Sequence, residues 1–149
     1  MDDASTDDTP GFLEESGGSC RVLTNTVNRG FAFSNNLAAK TAASEVIAFL
    51  NNDLVLRPGW LKPMLDCLLS GKRTGCVGNV QLDATSGKID HAGIYFESDG
   101  SVRHGLKGRR FLPSRSNFPV RAVTGACFLM NRELFLSEGG FFGSVFNRT

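Results

Sequence analysis

No apolar run in the sequence approaches the roughly 20 residues that a membrane-crossing helix needs, and no signal peptide precedes the first acidic cluster. The chain is therefore expected to be soluble and cytoplasmic, at most peripheral at the inner face of a membrane. Cysteine is sparse and scattered. Cys20, Cys67, Cys76 and Cys127 form no CxxC pair, so neither zinc-site spacing nor a disulfide framework is indicated, and reduced, buried thiols are expected. Internal repeats and low-complexity tracts are also lacking. A net charge of +1 removes the global electrostatic case for nucleic acid, although the charge is unevenly spread. Residues 1–15 hold six acids and no base, whereas residues 101–121 hold six Lys/Arg and no acid.

What is present is ordinary globular material: 149 residues, 41% hydrophobic and 21% charged, enough for a sizeable core in one domain spanning 1–149. Its elements alternate. Asp8 or Thr9 as N-cap with Pro10 in the first turn predicts a short helix over FLEES, and CRVLTN (20–25) reads as a strand. Alanine-rich residues 32–43 favour a helix, and EVIAFL (45–50) has the continuous apolar character of a strand covered on both faces, completing a βαβ unit. From Trp60, the spacing of Leu61, Met64, Leu65, Leu68 and Leu69 predicts a helix ended by Gly71. CVGNVQL, IDHAGIYFE and SVRHG read as strands, the last two joined by a turn at Asp99-Gly100. Residues 105–119, with two prolines and little pattern, read as a mobile loop. VTGACFLMN is expected to be the last strand, followed by a short helix over RELFLSEGG.

Ligands of open α/β sheets bind beyond the carboxyl ends of the strands, and Asp53 falls at such an end, after IAFLNN. Asp2 and Asp3 could occupy an equivalent end. Oxygen-only ligands suit Mg²⁺ or Mn²⁺, and one carboxylate suffices where substrate phosphates supply most of the other oxygens. Spacing alone favours the plainer reading, in which Asn-Asn-Asp is loop punctuation. His91 stands either near a bound ligand or satisfied by a neighbouring carbonyl, and Trp60 is expected to anchor its helix.

The ordered set DDASTDDT, NRGFAFSNN, FLNNDLVLRPGW, HAG and VTGACFLMNRELFLSEGGF resembles the family 2 glycosyltransferases, in their rhamnosyltransferase-like branch, where Asn-Asn-Asp stands in for the DXD motif. The resemblance covers nearly the whole chain. It implies a GT-A α/β fold, a three-layer sandwich with a mainly parallel mixed sheet, lacking the first strands. It places Asp2 and Asp3 near the nucleoside, Asn28 and Gly30 in the loop beneath it, and Asn36 facing the site. Asn51 and Asn52 would lie near ribose and metal, with Asp53 holding the Mg²⁺ or Mn²⁺. His91, Thr124, Gly125 and Ala126 would line the donor-sugar or acceptor pocket. The implied reaction is inverting transfer from a dTDP- or UDP-sugar to a glycan or lipid-linked acceptor, with no nucleic-acid partner.

Two departures from the family pattern qualify these expectations. The chain begins with Met1 directly before Asp2-Asp3, and no acid follows Glu138, so the resemblance assigns no catalytic base. The alternative is a non-catalytic module that binds nucleotide or glycan, or that self-associates through open sheet edges.

Overall fold

The computed structural model describes residues 1–16, 20–70, 73–113 and 116–142. In chain order the elements are α1 (Thr9–Glu15), α2 (Gly30–Thr41), β1 (Val46–Leu50), α3 (Leu61–Leu69), β2 (Cys76–Gly78), β3 (Gln81–Leu82), β4 (Ile89–His91), β5 (Ile94–Phe96), β6 (Val102–His104), β7 (Cys127–Asn131) and α4 (Arg132–Ser137). They fall into two compact units, one formed by Met1–Glu45 with the stretch from Arg132 on, the other by Val46–Asn131. Among the described residues no helix is long and apolar enough to cross a membrane.

The first unit is helical. Pro10 sits in the first turn of α1, where its missing N–H costs the ladder nothing. Asp8 holds the N-cap position without a side-chain cap bond, and Asp7 Oδ1 accepts the Thr9 N–H instead (3.0 Å). α1 connects Asp2 to Thr24, which form a parallel bridge through Asp2 N–H to Leu23 O (2.7 Å) and Asn25 N–H to Asp2 O (2.9 Å). The 20–25 segment thus supplies one bridge instead of the full strand its apolar residues suggested.

α2 and α4 are tied by a cation at a helix C-terminus. The guanidinium of Arg132 donates to Ala39 O (2.9 Å) and Lys40 O (3.0 Å), carbonyls that the end of α2 leaves without intrahelical partners. α4 closes as expected near Gly139. Its N–H donates to Leu136 O (3.1 Å) and that of Gly140 to Phe135 O (3.0 Å), the paired bonds of a Schellman motif. Phe141 then packs on Phe31 and on the buried Phe135, with ring centroids 5.1 and 5.2 Å apart.

The second unit is built on a three-stranded sheet in the order β1-β7-β2. Both pairings are antiparallel, with Ala48 opposite Leu129, Leu50 opposite Cys127, and Val77 also opposite Leu129. The expected parallel character is confined, among the described residues, to the Asp2–Thr24 bridge. Parallel neighbours need a crossover connection, and α1 supplies the one that joins these two residues. Met64 and Leu68, one turn apart on α3, are buried with Cys127 and Leu129 of β7, while Val46, Leu54, Trp60, Leu65 and Val77 pack around them. Trp60 is therefore the helix anchor its position predicted. On the other face of the sheet Phe49 stacks on Phe128 at 4.7 Å.

Two predicted strands are each split. CVGNVQL becomes β2, which pairs with β7, and β3, which pairs with β4. IDHAGIYFE breaks at Gly93, whose φ is +85° and where an added Cβ would collide with the Val120 side chain. Beyond the break, β5 pairs with β6 around the expected Asp99-Gly100 turn, and Ile94 is bridged to Ala122. Residues 105–110 are held by backbone bonds: Gly105 N–H to Gly93 O (2.8 Å), Gly108 N–H to Ile89 O (2.7 Å) and Ile89 N–H to Arg109 O (2.9 Å). Gly71, the predicted end of α3, lies outside the described residues.

Candidate functional site

The residues singled out in the sequence form one constellation in each unit. In the first, Asp3 lies below the N-terminus of α2 and is fully engaged. Its Oδ1 accepts Asn25 Nδ2–H (2.6 Å) and the Arg29 N–H (2.9 Å), and its Oδ2 accepts the Gly30 N–H (2.7 Å). Helix N-terminal N–H groups stabilise a negative charge. The Arg29 and Asn25 donors hold the Asp3 carboxyl down at about 2. Asn28 Oδ1 also accepts the Gly30 N–H (3.1 Å), and Gly30 itself has φ +80°, a conformation that suits glycine at this tight entrance to the helix. Asn25 Nδ2 further donates to the buried Ser34 hydroxyl of α2 (2.9 Å). Asp2, also buried, accepts the Ser5 N–H (3.1 Å).

Asp2, Asp3, Asn28 and Gly30 are thus brought together, with Asn25 and Ser34 as members that the sequence did not single out. Asn25 closes the CRVLTN segment, and a polar residue directly after an apolar stretch was the available signal. Asn36, expected to face the site, has both ends of its amide engaged by one residue. Its Nδ2 donates to Phe141 O (2.9 Å) and its Oδ1 accepts the Phe141 N–H (2.9 Å). It clamps the chain beyond α4.

In the second unit the carboxyl end of β1 meets the start of β7. The Asn51 N–H donates to Ala126 O (2.8 Å), and the Ala126 N–H to Thr124 Oγ1 (3.3 Å), so 51–53 and 124–126 share one end of the sheet. Asn52 and Asp53 form an exposed turn there. The Asp53 carboxylate has no hydrogen bond or ion pair among the described residues, and no group of three or more His, Cys, Asp or Glu gathers among them. Such a donor set fits a hard cation that takes most of its oxygens from a bound phosphate, and does not fit a fully protein-caged metal.

His91 belongs to a different strand pair, β3–β4. Buried at the end of β4, it accepts the Gly93 N–H at Nε2 (3.2 Å), and its Nδ1 faces Nδ1 of His104 at 3.4 Å. Burial pushes the His91 imidazole below its ordinary value, and the neighbouring His104 pushes the same way against the opposing charge of Asp90.

A model of the family described as Glycosyl transferase family 2 matches residues 1–137. The class is thereby defined as domains of the GT-A fold, here mixed α/β with small antiparallel sheets. The chain belongs to glycosyl transferase family 2. It is 33% identical over 139 residues to an uncharacterized protein, y4gI, of Sinorhizobium fredii, an alignment covering 87% of this chain and 15% of that protein. It is 37% identical over 117 residues to the O-antigen biosynthesis protein RfbC of Myxococcus xanthus, covering 72% of this chain and 9% of that protein. The chain therefore spans a small fraction of the length of these relatives.

Proposed function

We propose that this domain carries out inverting transfer of a sugar from a nucleoside-diphosphate donor, with uridine or thymidine as the base, to a glycan or lipid-linked acceptor in polysaccharide assembly. The observation that carries the reading is the free Asp53 carboxylate at the sheet end shared with Thr124–Ala126, within a chain matched by the family over residues 1–137. The RfbC relative, named for O-antigen biosynthesis, supports a polysaccharide product.

In this reaction the acceptor oxygen bonds to the anomeric carbon as the bond from that carbon to the diphosphate oxygen breaks. The electron pair leaves with the diphosphate, and the acceptor proton passes to a base. Asp53, with Asn51 and Asn52 beside it, would hold Mg²⁺ or Mn²⁺. When bound, such a cation stabilises the negative charge developing on the leaving diphosphate. Thr124, Gly125 and Ala126 would orient the sugar. Within the first unit Asp3 would act as a positioning residue, because its oxygens already hold the loop Asn28–Gly30.

Calorimetric titration with UDP and dTDP, with and without Mn²⁺, tests the assignment. Metal-dependent binding should be lost in Asp53→Ala. Affinity unchanged by that substitution would contradict the proposed site.

A further inference from the structure

The histidine pair fixes its own protonation pattern. Because the Gly93 N–H donates to His91 Nε2 (3.2 Å), that nitrogen carries the lone pair, and the proton of the neutral ring sits on Nδ1. This proton points at Nδ1 of His104 (3.4 Å), which must accept it. The remaining proton of His104 is therefore on Nε2. With Nδ1 of His104 occupied as acceptor in this contact, the Nε2–H of that ring is left as a hydrogen-bond donor.

His104 lines an open groove of about 520 Å³ together with Val102, Arg103, Leu106, Lys107 and Arg109. Two of its three cations are held at the surface by carboxylates, Arg103 by Glu97 and Lys107 by Asp90. Among the described residues Arg109 has no ion pair, and its side chain is exposed. The turn that displays it is rigidly specified. Leu106 has φ +56°, Arg109 N–H donates to Leu106 O (3.0 Å), and a Cβ at Gly105 would come within 2.5 Å of Ala92 O. The left-handed Leu106 and His104 thus line one groove with Arg109, and no acid is among its lining residues.

We propose that this groove is an oxyanion subsite that takes a phosphate or diphosphate ester, with Arg109 supplying the charge-assisted fork and His104 Nε2–H a second donor. The role assigned to it, holding the anionic group of the acceptor, rests on the transfer reaction proposed above; anion binding itself does not. The Ile94–Ala122 bridge connects this hairpin to the segment leading into Thr124–Ala126.

The test is titration of the whole chain with inorganic pyrophosphate and, separately, with farnesyl diphosphate, in the wild type and in Arg109→Ala. Both ligands should bind the wild type and weaken roughly tenfold or more in the variant, with Mn²⁺-dependent UDP binding unchanged. Tighter binding of farnesyl diphosphate would support the subsite with a lipid-linked source, and equal binding would support it with a soluble phosphate ester. Histidine ¹⁵N NMR should show His104 protonated at Nε2 only, with that resonance moving on addition of pyrophosphate. Pyrophosphate affinity indifferent to Arg109→Ala, or a silent His104 resonance, would overturn the proposal. Pyrophosphate binding that persists where UDP fails to bind would instead contradict the Asp53 assignment and leave the groove supported.

Discussion

At the scale of single residues, the structure separates carboxylates that hold the fold from one that is free. Asp3 and Asp53 look alike in sequence, each at the edge of a polar cluster. Asp3 is spent on partners 22, 26 and 27 positions further along, whereas Asp53 faces solvent without a hydrogen bond among the described residues. Asp3→Asn should lower stability by about 1–2 kcal/mol in urea denaturation, the range for a lost helix cap. The pH dependence follows from its depressed carboxyl, about 2 against an ordinary 3.8. The charged form is favoured by folding, so the contribution is fully present above about pH 4 and disappears as pH falls toward 2. The stability difference between wild type and Asp3→Asn should shrink across that window. Asn36→Ala should cost about 1–2 kcal/mol by stranding the backbone of Phe141, measured the same way. Neither role was legible in the sequence. The cap bonds and the Asn36–Phe141 clamp join positions 22 to 105 residues apart, and no local pattern carries that information.

At the scale of elements, the sequence was most informative where periodicity reports on packing. β1, α3, β7 and α4 lie close to where the sequence put them, and β1 and α3 bury side chains at the period of their element, Ile47 with Phe49 and Met64 with Leu68. Leu68→Ala, which removes one of the two α3 side chains in the core, should cost about 2–5 kcal/mol in equilibrium unfolding. Periodicity failed where a third segment sets the limit. Ile94 to Phe96 do not continue β4 because the chain turns at Gly93, where φ is +85° and Val120 leaves no room for a side chain; at Gly78, the last residue of β2, an added Cβ would likewise meet Val123 at 2.7 Å. Gly93→Ala should therefore destabilise the β4–β5 corner and loosen the histidine pair, read as loss of the His91–His104 coupling in ¹⁵N spectra. The histidine pair was only half legible: His91 stood out within HAG, but His104, the partner whose tautomer it fixes, lies 13 residues on, across the β5–β6 hairpin.

At the scale of the whole molecule, family membership and site geometry support each other without being the same observation. The match over residues 1–137 shows membership of glycosyl transferase family 2, while the meeting of Asn51 with Ala126 is a property of this chain's own β1–β7 pairing. The candidate site was legible in the sequence as motifs, because the chemistry needs particular residue types. Its connectivity was not, because antiparallel register brings 51–53 and 124–126 together across the whole intervening stretch 54–123. The most direct measurement is amide NMR with Mn²⁺ and UDP or dTDP, using the paramagnetic ion to mark its own position. The account predicts broadening centred on the Asn51–Asp53 and Thr124–Ala126 amides that requires nucleotide and vanishes in Asp53→Ala. Broadening centred elsewhere, or unchanged by that substitution, would contradict it.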